Sequence, residues 1–165
     1  MDKIKIRIIT LSDSVSKGIY EDKSGPKIKE MLAAHFAGHD TDIIVEVIPD
    51  EKDRLLELLN KFHAENADAV FTTGGTGVGP RDITPEVVEE FSDKLLPGIM
   101  EFIRIKYGEK YPNALLSRSV ATIKDRMVIY SLPGSVKAAA EYTEEILKSI
   151  DHLFKMIKGD GHSDG

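Results

Sequence analysis

The residues best equipped for chemistry form one run, Thr72-Thr73-Gly74-Gly75-Thr76-Gly77-Val78-Gly79-Pro80-Arg81-Asp82-Ile83-Thr84-Pro85. Its glycines leave backbone N–H groups unshielded by side chains, so the main chain can approach a phosphate closely. Asp82 sets a carboxylate among groups that otherwise attract anions, which suggests an anionic ligand carrying its own metal ion. Neither of the two common nucleotide signatures is present. A P-loop needs Lys and then Ser/Thr after Gly79, where this chain has Pro80 and Arg81. A G-x-G-x-x-G begun at Gly75 meets Pro80 in place of its last glycine. The plainer alternative is a tight turn with no ligand. Glycine freedom costs roughly 0.5–1 kcal/mol per residue relative to Ala in regular structure, so a bare turn seldom holds so many.

Other polar runs accompany it. Ser12-Asp13-Ser14 follows one apolar run, Asp50 a second and Pro133-Gly134-Ser135 a third, while Ser117-Arg118-Ser119 lies in a less regular segment. Each has a structural alternative: Asp50 as a helix cap, Pro133-Gly134-Ser135 as a turn with its cap, Arg118 as a solvated loop residue. Asp82 has none, because Thr84 is available as the N-cap of the following helix, with Pro85 at its first position. The chain has no cysteine, and none of its five histidines sits beside these runs. Nucleophilic hydrolysis and a histidine-ligated zinc centre are therefore disfavoured. Aspartates with few other ligands suit Mg²⁺ bridging substrate phosphates, and phosphoryl or nucleotidyl transfer needs mainly positioning and charge stabilisation. Arg81, Arg118 and Lys137 are the obvious cations near these runs.

The elements that must position these groups follow from periodicity. Lys3–Leu11, Ile43–Ile48 and Ala69–Thr73 read as strands, rich in β-branched and apolar residues. Between them lie two helical patterns. Ser24 can cap the first, with Ile28, Met31, Leu32, His35 and Phe36 on one face, His35 being a packed or boundary residue. Asp50 can cap the second, with Leu55, Leu58, Leu59 and Phe62. This alternation predicts an α/β fold with right-handed parallel crossovers. The C-terminal ends of parallel strands share one edge, so the polar turns could meet in one pocket there. Leu95-Leu96-Pro97-Gly98 breaks the pattern before a helix carrying Met100, Ile103 and Tyr107. Val120–Ile123 and Met127–Leu132 flank Lys124-Asp125-Arg126 and predict a hairpin, hence an antiparallel edge strand. One helical pattern then runs from Val136 to Ile157, and Gly159 to Gly165 is expected to be disordered.

At 165 residues, 30% charged and 41% hydrophobic, the sequence suits one soluble domain over residues 1–158. No apolar run is long enough to cross a bilayer and no signal-peptide pattern opens the chain, so a cytoplasmic setting is expected. A net charge of −6 argues against a nucleic-acid or anionic-membrane partner.

The assembled motifs resemble the MogA/MoaB family of molybdenum-cofactor biosynthesis proteins. The likeness rests on Thr72–Gly77 with Pro80–Pro85, and on Leu11-Ser12-Asp13, Tyr20–Pro26, Pro49-Asp50-Glu51, Leu116–Ser119 and Leu132–Ser135, in the family's order from about Ile4 to Gly159. It implies a three-layer α/β/α sandwich, usually a homotrimer, and molybdopterin adenylyltransferase activity with ATP as co-substrate and Mg²⁺ present. It also implies a molybdenum-insertion partner protein. By the same resemblance Asp50 and Asp82 are the important aspartates, catalytic and metal-holding. Thr73, Gly74, Gly75, Thr76 and Gly77 would cradle phosphate. Ser12, Asp13, Ser117, Arg118, Ser119, Pro133, Gly134 and Ser135 would line the remainder, with Arg118 able to grip a phosphate bidentately. The family leaves a fork, because some MoaB-type members are pterin-binding proteins without that activity; Tyr20-Glu21-Asp22-Lys23 and Leu116-Ser117-Arg118 look more like the active branch. Val136 stands where many members have proline, and Thr122–Asp125 replaces a glycine-containing pattern.

Overall fold

The computed structural model describes residues 2–160. Its sheet is built from β1 (Ile4–Leu11), β2 (Thr41–Ile48), β3 (Ala69–Thr73), β4 (Lys94–Leu95), β5 (Ala121–Lys124) and β6 (Met127–Leu132). Their order across the sheet is β2-β1-β3-β6-β5-β4, with β2, β1, β3 and β6 parallel and β5 antiparallel to both its neighbours. The central strands β3 and β6 are buried throughout, as their continuous apolar runs require. Arg7, the buried charge of β1, is paired with Asp42 at 3.0 Å and Glu65 at 3.4 Å, which a charge at such a position needs.

Helices α1 (Asp13–Ser16), α2 (Ser24–His35), α3 (Lys52–Ala64), α4 (Thr84–Phe91), α5 (Pro97–Gly108), α6 (Val136–Leu147) and α7 (Ile150–Lys158) complete the chain, with a 3₁₀ turn over Pro112–Leu116. Two separate cores show the layering. On one face Ile28 and Leu32 of α2 with Phe36 just after it, Met100 and Ile103 of α5, and Tyr142 and Ile146 of α6 pack on Ile6, Ile8, Phe71 and Tyr130. On the other, Leu55, Leu58, Leu59 and Phe62 of α3 and Val87 and Val88 of α4 pack on Ile9, Val70 and Ile129. The expected three-layer sandwich is borne out. Among the described residues no helix is long and apolar enough to cross a membrane. From β1 the chain passes through α2 outward to β2, whereas β3 leads away toward β6. The strand order therefore reverses between β1 and β3, the place where open α/β sheets form a crevice.

Several local readings are corrected. Ser24 does not cap α2; it is the helix's first residue, and Asp22 Oδ1 accepts from the Gly25 N–H at 3.1 Å. Thr84 is likewise inside α4, with no side-chain cap at Ile83. Glu51, not Asp50, occupies the cap position of α3. Pro97 opens α5 rather than ending an element, and the two-residue β4 just before it was not legible. That strand covers β5, so the hairpin is not the outermost edge. Asp125 takes the left-handed turn position at φ 50°, which Asp tolerates better than most residues and which removes the need for glycine there. The C-terminal helical pattern divides into α6 and α7 around Lys148 and Ser149. His35 is exposed rather than packed or at the boundary, and its Nε2 meets Asp151 Oδ2 at 2.8 Å. Of the expected tail, Gly159 ends α7 in the left-handed conformation, and residues 161–165 lie outside the described residues.

Candidate functional site

The turns after β1, β2, β3 and β6 converge on a cleft of about 710 Å³ at the C-terminal edge of the sheet. Its floor is main chain. Gly74 donates its N–H to the Leu132 carbonyl at 3.0 Å, and a Cβ at Gly74 would stand 2.2 Å from the Leu11 carbonyl oxygen. Its φ of 103° also lies in the region that favours glycine. Thr73 Oγ1 ties the same junction to the Pro133 carbonyl at 2.8 Å. Ser12 and Ser135 cap α1 and α6, accepting from Val15 and Ala138 at 3.2 Å each.

The glycine loop has a consistent polarity. The Gly74 carbonyl accepts from Thr84 Oγ1 at 2.9 Å and the Gly75 carbonyl from the Thr84 N–H at 3.1 Å. The Thr76 carbonyl accepts from the Arg118 N–H at 2.9 Å and the Gly77 carbonyl from Arg118 Nε at 2.7 Å. These peptides are trans, so each N–H points opposite to the preceding carbonyl. The N–H groups of Gly75, Thr76, Gly77 and Val78 are thereby turned away from Thr84 and Arg118. Among the described residues they donate to no atom, and all four residues line the cleft. Main-chain donors arrayed in this way form an anion seat. The Thr84 hydroxyl, expected to cap a helix, is instead one of the groups that set the array.

Asp50 and Asp82 both line the cleft. Asp50 Oδ2 accepts from the Asp13 N–H at 3.1 Å. Burial first, and then the negative charges of Asp13 and Asp82, raise its proton affinity, while the Asp13 N–H and Arg81 oppose this. Asp82 Oδ2 accepts from the Gly79 N–H at 2.8 Å, and a Cβ on Gly77 would come to 2.8 Å of the same oxygen. Glycine at position 77 therefore makes room for this carboxylate. Two carboxylates that repel one another across a cleft fit a divalent cation. No cluster of three or more His, Cys, Asp or Glu side chains among the described residues could enclose a metal. The donor set thus suits Mg²⁺, which takes one or two carboxylates and completes its shell with phosphate oxygens and water.

Of the residues singled out from sequence, Ser12, Asp50, Thr73–Gly77, Asp82, Ser117 and Pro133–Ser135 line the cleft. Asp13, Arg118 and Ser119 stand outside that lining. Asp13 pairs with Arg81 through Nε at 2.7 Å and Nη2 at 2.9 Å, which holds its carboxyl below the usual carboxylate range. Ser119 is buried and exchanges a hydroxyl contact with Ser117 at 2.9 Å. Arg118 is committed to the loop behind the cleft. Sequence reasoning missed Asp22, whose Oδ2 accepts from Thr10 Oγ1 at 2.9 Å, and Lys23, the one cation of the lining. Both lie in the Tyr20–Pro26 run already noted for its family likeness, and that was the available signal.

Known proteins resemble this chain over most of its length. A molybdopterin adenylyltransferase of Helicobacter pylori (strain ATCC 700392 / 26695) is 39% identical over 160 residues, covering 96% of this chain and 90% of that protein. A MogA structure superposes with a TM-score of 0.86 at 31% identity, covering 93% of this chain and 99% of the other. The molybdopterin biosynthesis enzyme MoaB of Thermus thermophilus gives a TM-score of 0.84 at 35% identity, covering 94% and 97%. Residues 7–152 match the family model described as a probable molybdopterin binding domain, and the chain belongs to that family.

Proposed function

We propose that this chain is a molybdopterin adenylyltransferase. The observation that carries the reading is the row of N–H groups from Gly75 to Val78, without an acceptor among the described residues and carried by residues that line the cleft with Asp50 and Asp82. A triphosphate needs both halves of this arrangement: main-chain donors for its oxygens and carboxylates for the cation that accompanies it. The name of the Helicobacter pylori relative supports the choice of molybdopterin as second substrate.

In the proposed reaction an oxygen of the terminal phosphate of molybdopterin attacks the α-phosphorus of ATP. The bond from that phosphorus to the oxygen bridging to the β-phosphate breaks, and pyrophosphate leaves with the electron pair. The chain's contribution is orientation and charge placement. The N–H row would hold the phosphates and Asp50 and Asp82 would hold Mg²⁺, while Lys23 adds a positive charge to a lining that is otherwise acidic or neutral. Ser117, Gly134 and Ser135 shape the wall facing the second substrate. Bound Mg²⁺ would neutralise phosphate charge and polarise the reacting phosphorus.

We place the activity in the cytoplasm and in a homotrimer, with the product passing to a molybdenum-insertion protein. Leu95 on β4 and Phe102 and Ile105 on α5 are each more than half exposed (57%, 56% and 62%), and their apolar surface supports a subunit contact. Light scattering should give three times the chain mass. The deciding experiment incubates purified protein with molybdopterin, ATP and Mg²⁺ and seeks adenylyl-molybdopterin by mass. ATP-independent molybdopterin binding without product would instead favour a carrier or scaffold in the same pathway.

A further inference from the structure

We infer that Arg118 is a positioning residue, acting on the peptide planes of the glycine loop and on Asp82 rather than on a phosphate. The inference rests on the triphosphate site proposed above. Every nitrogen of its guanidinium already has a protein partner. Nε donates to the Gly77 carbonyl at 2.7 Å, Nη2 to the Asp82 carbonyl at 2.9 Å, and Nη1 to the Glu86 carboxylate. Its own N–H donates to the Thr76 carbonyl at 2.9 Å.

These bonds have a directional consequence. Holding the Thr76 and Gly77 carbonyls behind the cleft turns the N–H groups of Gly77 and Val78 into it. Gly77 and Asp82 also bracket the excursion Val78–Arg81, so one planar group pins both ends of that excursion and fixes where the Asp82 backbone stands. Burial pushes the Glu86 carboxyl up, but its bond to Arg118, its own backbone N–H and the charge of Arg118 together outweigh this and hold it below the usual carboxylate range. Glu86, in the first turn of α4, therefore stays ionised and keeps the guanidinium in place. To reach a phosphate, Arg118 would have to release two loop carbonyls and a carboxylate, and so dismantle the seat it was approaching. Lysine cannot replace it, because a single ammonium does not reproduce a planar fork with acceptors on three sides.

Arg118→Lys and Glu86→Gln in the full chain separate the two roles. Affinity for Mg-ATP and for inorganic tripolyphosphate would be measured by calorimetry, and the Gly77 and Val78 amides followed by NMR in ligand-free protein. Arg118→Lys is expected to weaken tripolyphosphate at least ten-fold, to lower kcat, to leave molybdopterin binding within two-fold, and to shift both free-protein amides. Glu86→Gln is expected to weaken tripolyphosphate or leave it within two-fold. Arg118→Lys binding within two-fold of the parent would overturn the inference, because lysine keeps the charge of a direct contact. So would tighter binding by Glu86→Gln, the mark of a freed guanidinium turning to the phosphate, or unmoved Gly77 and Val78 amides in Arg118→Lys. If Arg118→Lys fails to fold, the sign for Glu86→Gln still decides. Failure of the parent to bind ATP would instead count against the adenylyl-transfer reading, since the amide measurement needs no ligand.

Discussion

Asp13 and Asp50 exchange hydrogen bonds: the N–H of Asp13 donates to Asp50 Oδ2 at 3.1 Å, and the N–H of Asp50 donates to Asp13 Oδ1 at 3.0 Å. The turns after β1 and β2 are therefore locked to each other, and Arg81 brings the glycine loop into the same network through Asp13.

The two aspartates carry opposite pH signatures. Asp50 has a raised pKa, so the folded chain binds its proton more tightly than the unfolded chain; the stability this gives is present in acid and lost as pH rises through the folded value. Asp50→Asn removes that loss while keeping an oxygen for the Asp13 N–H. Its Tm should exceed the parent's at pH 7, with the gap closing as pH falls toward the ordinary carboxyl range, while turnover drops about 100-fold or more. Asp13 has a lowered pKa, chiefly from Arg81, so its contribution is present at neutral pH and lost on acidification. Asp13→Asn should lower Tm at pH 7 and match the parent in acid. Thermal melts across pH 3–7 (about four units) check both signs.

Asp82→Asn keeps an acceptor for the Gly79 N–H and loses only the charge. Turnover should fall by about two orders of magnitude with an unchanged Tm, and the Mg²⁺ concentration for half-activity should rise. Parent-like turnover would remove Asp82 from the mechanism.

Gly74→Ala and Gly98→Ala form a contrasting pair. A Cβ at Gly74 meets the Leu11 carbonyl at 2.2 Å in a left-handed residue, whereas one at Gly98 meets nothing within 4 Å and lies in α5. The first should unfold the chain or cost about 3 kcal/mol or more. The second should be neutral or stabilise by about 0.5–1 kcal/mol. Chemical denaturation measures both.

Lys23→Ala takes the cation from the cleft lining. Loss of a charge-assisted contact contributing about 1.5 kcal/mol corresponds to roughly a ten-fold rise in KM for one anionic substrate. The rise should shrink with added salt, and steady-state kinetics at two ionic strengths would show whether it does.

Elements with strong apolar runs were readable from sequence. Ala69–Thr73 and Met127–Leu132 appear as expected, and the polar turns after the strands do meet. What could not be read were hydroxyls and carboxylates whose partners are far away in the chain. Asp50 and Thr84 both look like helix caps locally, but Asp13 and Gly74 claim their oxygens through tertiary contacts. Arg118 looked like a phosphate ligand because the loop carbonyls that occupy it are about 40 residues distant, beyond any pattern of local spacing. β4 escaped because two residues are too few to show a period; it pairs because Asp93 and Leu96 donate their N–H groups to β5 carbonyls.

The Gly74 junction, where β1, β3 and β6 touch without an intervening side chain, has a consequence for redesign. A floor of bare peptide presents the same atoms whatever residues surround it, so substrate preference cannot be retuned from below. Any change of specificity has to come from the walls, through Ser117, Asn113 or the Glu21–Ser24 segment. Libraries aimed at those positions should alter which pterin or nucleotide is accepted while the phosphate grip stays constant.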